Sequence, residues 1–69
     1  MCFSEQMLAL REQNGLTQEQ AAKEIGIAYR SYRRYEAGER EPGVTALIKI
    51  ADYYGVTIDY LVGRTDRRE

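Results

Sequence analysis

Residues 16–42 read LTQEQAAKEIGIAYRSYRRYEAGEREP. Thr17 followed three residues later by Gln20 forms a capping box, in which hydroxyl and amide satisfy backbone groups that the first helical turn leaves open. Ala21, Ala22 and Ile25 then give a short helix an inner face of small residues, and Gly26 stops it. A second helix, 28–37, follows at once and closes at Gly38. Its start is weak. Ala28 stands where Ser, Thr or Asp normally caps, a loss of about 1 kcal/mol. At about 100° per residue, Ala28, Tyr32 and Tyr35 fall within one arc of roughly 60°, opposite Tyr29, Arg30, Arg33 and Arg34. Apolar residues at helical spacing mark core, so Tyr32 and Tyr35 are expected inside and Tyr29 outside with the arginines.

The flanks read as helices too. Ser4 is placed to cap a first helix, with Phe3 and Leu8 spaced as a hydrophobic staple, Met7 and Leu10 continuing the apolar face, and Gly15 ending it. The loop 39–43 holds the only proline. A further helix is expected from Val44 to Tyr54, with Val44, Leu47, Ile50, Ala51 and Tyr54 inward. Gly55 ends it, and Thr57 can cap a short last helix with Ile58, Leu61 and Val62 inward. Residues 64–69, RTDRRE, form a charged tail. No alternating strand pattern of useful length is present. The expected fold is all-α, a compact bundle of about five short helices in one domain over 1–63.

The 69 residues suit one small domain. Cys2 is the single cysteine and there is no histidine, which speaks against a disulfide or a structural zinc site. No apolar run approaches the roughly 20 residues that span a bilayer, and no signal peptide is legible. The expectation is a cytosolic protein without cofactor, membrane contact or small-molecule ligand. No nucleophile with a base partner, phosphate loop or carboxylate pair suggests an enzyme.

The net charge is −1 and the sequence pI about 5.4, a balance that argues weakly against a nucleic-acid partner. Its distribution argues the other way. Residues 1–24 balance at −2 and residues 42–69 at zero, whereas 25–41 carry Arg30, Arg33, Arg34 and Arg40 against Glu36, Glu39 and Glu41, a balance of +1. The arginine arc has two readings, a solvated helix face or a nucleic-acid contact. For the second stand the choice of arginine over lysine, the lack of acidic residues between 28 and 35, and the aromatic Tyr29 at the helix start.

Residues 16–42, continued by ALIKIADYYGVTIDYLVG at 46–63, resemble the helix-turn-helix of the Cro/phage-repressor (XRE-type) transcriptional regulators. Ala22 sits where the two helices cross, Ile25, Gly26 and Ile27 form the turn, and Tyr32 and Tyr35 take the inward positions. The resemblance implies a lambda-repressor-like DNA-binding domain with its motif at 17–37 and a recognition helix at 28–37 lying in the major groove. It places Tyr29, Arg30 and Arg34 at base-reading positions, and makes Gln18, Ser31, Arg33 and Arg40 candidate contacts to the DNA backbone. It also matches Arg11 and Glu36 to a structural salt bridge between the first and third helices. Two departures stand out. Ala28 replaces the usual Ser or Thr, and Glu39 and Glu41 flank Arg40 where basic residues are common. Modest affinity and a shallow salt dependence are expected.

The function so implied is sequence-specific binding of double-stranded DNA by a transcriptional regulator, a repressor before an activator. Such proteins usually bind a palindromic operator as homodimers. Leu8, Ile48, Tyr53 and Tyr60 point away from the core pattern, and Tyr53 and Tyr60 are the candidates for a dimer patch. Two alternatives share the fold: a protein-interaction module, such as the antitoxin of a toxin–antitoxin pair, and the DNA-binding domain of a longer regulator.

Overall fold

The computed structural model describes residues 2–64, so the expected tail lies outside the described residues except for Arg64. Helix α1, Phe3–Gln13, is capped by Cys2 and not by Ser4. The reason is spacing. Glu5 stands three residues beyond Cys2, and its carboxylate accepts both the Cys2 amide at 3.2 Å and the thiol at 3.1 Å. Three residues beyond Ser4 stands Met7, which has no group to reach back with. Phe3 becomes the first helical residue and packs edge-on against Tyr35, centroids 6.4 Å apart, and Leu8 is 39% exposed.

Helix α2, Gln18–Ile25, starts at the expected capping box: Thr17 Oγ1 accepts the Gln20 amide at 3.1 Å, and Gln20 Oε1 accepts the Thr17 amide at 2.9 Å. It stops at Gly26, whose φ of 89° suits a residue without Cβ, and the amides of Gly26 and Ile27 both donate to the Ala22 carbonyl. Helix α3 spans Tyr29–Ala37, with Ala28 as an N-cap that offers no side-chain hydrogen bond. Helix α4 is Val44–Tyr54, and α5 is the single turn Ile58–Leu61, capped by Thr57. The described residues hold no strand, and none of their helices is long and apolar enough to cross a membrane.

The core is built from Met7 and Leu10 of α1, Ala21, Ala22 and Ile25 of α2, Tyr32 and Tyr35 of α3, Ile50 and Ala51 of α4, then Val56 and Leu61. Helix α3 packs on α1 and α2; α4 packs on α2 and α5; α5 also meets α1. The small residues Ala21 and Ala22 give α2 a smooth inner face where it packs against both α3 and α4. Two positions expected in the core are exposed instead. Val44 is 71% exposed and Ile58 38% exposed. Each is the first residue of its helix, where the chain has not yet come over the core. A polar residue takes a place instead: Gln6 is buried, and its amide donates to the Tyr60 carbonyl at 3.1 Å, tying α1 to α5.

Candidate nucleic-acid interface

The inner face of α3 is fixed by polar contacts as well as by packing. The Glu36 side chain is only 5% exposed and Arg11 17%, and the two meet with Arg11 Nη2 2.8 Å from Glu36 Oε1 and Arg11 Nε 2.9 Å from Oε2. This two-point fit is the strong geometry for guanidinium and carboxylate. The carboxylate hydrogen bonds raise the Arg11 guanidinium above its ordinary value. Arg11 Nη1 also donates to the Leu16 carbonyl at 2.9 Å, in the turn before α2. The Gln18 amide completes the set by donating to Glu36 Oε1 at 3.1 Å. Glu36 is thus turned inward, away from the arginine arc, and α1, α2 and α3 meet at one carboxylate.

One turn earlier, Tyr32 is fully buried with its hydroxyl 2.8 Å from the Tyr54 hydroxyl on α4. Burial pushes both phenols above their ordinary value, Tyr32 the further. The sequence places the Tyr32 ring inside but does not reveal this partner. Its signal is that a tyrosine at a core position needs a hydroxyl partner; which of the other tyrosines supplies it is a tertiary fact.

The opposite face carries the charge. Arg30, Arg33 and Arg34 are exposed and line one open cleft with Gln18, Ala37 and Glu39. Tyr29 is 41% exposed, and its ring lies 5.5 Å from the Arg33 guanidinium carbon, a cation–π contact that presents the two side chains together. Tyr29 also faces a neighbouring depression with Arg11, Leu16, Thr17, Gln18 and Glu19. Ser31 is half-buried. Arg40 stands apart from the cleft, beside Phe3, Ser4 and Glu41.

Tyr53 and Tyr60 do not point away from the core: both are half-buried and packed against it. The Tyr53 hydroxyl donates to Glu24 at 2.9 Å, and its ring meets Tyr54 edge-on at 5.1 Å. Leu8 and Ile48 are exposed, as their spacing suggests. Among the described residues no group of three or more histidine, cysteine, aspartate or glutamate side chains stands where it could hold a metal ion.

Residues 7–61 match the family model described as helix-turn-helix. The chain is 41% identical over 64 residues to the uncharacterized HTH-type transcriptional regulator YobD of Bacillus subtilis, covering 93% of this chain and 57% of that protein. It is 44% identical over 64 residues to the cryptic phage CTXphi transcriptional repressor RstR of Vibrio cholerae, with the same coverage of 93% and 57%. The crystal structure of a transcriptional regulator from Listeria innocua superposes with a TM-score of 0.81 at 33% identity, over 91% of this chain and 59% of that one. The chain therefore spans little more than half the length of the curated relatives it matches.

Proposed function

The chain belongs to the helix-turn-helix family, and from that premise we propose that it is a transcriptional regulator of the cytoplasm that binds double-stranded DNA sequence-specifically through α3. One observation carries the reading. Arg30, Arg33 and Arg34 share an exposed cleft with Gln18 on the side of α3 opposite its buried tyrosines, while Glu36 is turned inward against Arg11.

In this reading α3 lies in the major groove and α2 crosses the DNA backbone. Arg30 and Arg34 fork onto guanine O6 and N7, each good pair supplying about 1–3 kcal/mol of discrimination. Tyr29 meets a thymine methyl or a phosphate at the helix start. Gln18, Ser31, Arg33 and Arg40 hold phosphates, and Gln18 at the same time braces α3 through Glu36. One helix reads few base pairs, so the proposed active form is a homodimer that sets two α3 helices about 34 Å apart on a palindromic operator. The half-buried Tyr53 and Tyr60 are the proposed dimer patch, through the part of each ring that the core leaves uncovered. Repression is the proposed sign of regulation, as in the name of the related phage protein.

The test is selection from a pool of random duplexes. The expected result is an enriched, two-fold symmetric motif containing guanines. A pool that returns no motif overturns the reading in favour of a protein-interaction module.

A further inference from the structure

We propose that Tyr54 is a positioning residue for DNA reading: its hydrogen bond to Tyr32 sets the rotation of α3 and couples the α4–α5 half of the fold to the pose of the arginines. The inference rests on the DNA-binding reading above. Helices α3 and α4 share little direct packing, because α3 rests on α1 and α2 while α4 rests on α2 and α5. The hydroxyl pair at 2.8 Å bridges that gap. It persists because the Tyr32 hydroxyl is buried, and a buried hydroxyl without a partner is costly.

The inner face of α3 is then held at two points one turn apart, Tyr32 to α4 and Glu36 to α1 and α2. Packing alone leaves a helix some freedom to roll; two directional anchors on one face remove it. A guanidinium about 6 Å from the helix axis moves about 1 Å for each 10° of roll. Hydrogen bonds to base edges weaken over a few tenths of an ångström. A small roll therefore costs paired contacts at Arg30 and Arg34 before it disturbs the core.

The experiment compares Y54F, Y32F and Y32F/Y54F with wild type in the full chain, at a temperature where circular dichroism shows each folded. Binding is measured to the selected duplex and to single-base variants of it, and amide exchange is followed in Arg33–Ala37 against Met7–Gln13. Y54F is expected to weaken the selected duplex by about five- to tenfold. It should weaken the variants less, so that the ratio between them shrinks, and α3 exchange should accelerate relative to α1. Because each change removes the same bridge, the double variant should be no worse than the worse single one. Should Y54F fail to fold, Y32F decides by the same readouts. An unchanged selectivity ratio in folded protein, additive losses, or equal acceleration in all helices overturns the proposal. If wild type selects no duplex, the DNA-binding reading falls, and the α3-to-α1 exchange ratio still decides whether the bridge positions α3.

Discussion

Replacing Arg11 by methionine tests how α3 is held. The Glu36 carboxylate is 5% exposed and takes two short contacts from Arg11, with the Gln18 amide donating to it at 3.1 Å. In R11M the carboxylate loses its cation and keeps neutral partners, Gln18 among them. Breaking a buried ion pair from one side costs about 3–5 kcal/mol, because the charge left behind has lost both its partner and its water. The opposite change, E36Q, should cost less, about 2 kcal/mol. Arg11 is 17% exposed, so water reaches its cation, and it keeps the Leu16 carbonyl at 2.9 Å. A domain of this size has a total stability of about 3–10 kcal/mol, so R11M removes a third of it or more. Urea titration at 25 °C reads the difference. With a slope of about 1 kcal/mol/M, the R11M midpoint should fall by about 3 M or vanish. A loss below about 1 kcal/mol, the range of exposed pairs, would refute the claim that this pair is effectively buried. A larger loss in E36Q than in R11M would refute the assignment of the costly side to Glu36.

Three further outcomes follow from the same geometry. A28S should stabilise the fold by about 1 kcal/mol, since the α3 N-cap makes no side-chain hydrogen bond; thermal melts should show a rise, and no rise means that another group already satisfies the helix start. Tyr32 and Tyr54 both have phenol pKa values raised above the ordinary 10 by burial. Their contribution is whole below pH 10 and is lost as pH rises, because the unfolded chain releases protons that the folded chain retains. Above pH 10 stability should then fall by at most about 1.4 kcal/mol per pH unit for each group; urea midpoints from pH 9 to 11 test this, Y32F should flatten the decline, and a flat wild-type profile contradicts it. In the proposed interface, R30A and R34A should each cost about 1–3 kcal/mol and relax selectivity at one base pair, whereas R33A should weaken all duplexes alike and lower the salt slope by about one; binding titrations at several salt concentrations separate the two classes, and R30A or R34A binding unchanged to a selected duplex removes the groove assignment.

Much of the fold is legible because its signals are local. The box at Thr17 and Gln20 and the glycines at 26, 38 and 55 concern backbone groups within one turn, and each helix boundary they imply is found. The wheel of α3 works for a similar reason: nine residues with a strong apolar arc leave one way to face the core. Periodicity fixes direction around a helix axis but not how far along the axis the core extends. That is why Val44 and Ile58, correctly phased, overhang it. Tyr53 and Tyr60 fail differently. A tyrosine is long enough to lie down along the surface, bury its ring and keep its hydroxyl on a polar partner, as Tyr53 does with Glu24. Cys2 is not among the residues that usually cap a helix, and its signal in the sequence is Glu5 three residues on.

Net charge is a poor guide to this surface because it sums groups that do not meet the same solvent. Glu36 is cancelled by Arg11, which comes from the first helix and belongs to a different stretch of the charge count. Glu39 does share the cleft with Arg30, Arg33 and Arg34 and offsets part of their field. A face with so few uncompensated charges has little sequence-independent attraction for phosphate. In the proposed interface, selectivity then depends on how well Arg30 and Arg34 meet base edges, and that depends on the rotation of α3. The buried polar contacts behind the helix, at Glu36 and at Tyr32, fix that rotation more tightly than apolar packing alone, because hydrogen bonds have direction and dispersion does not.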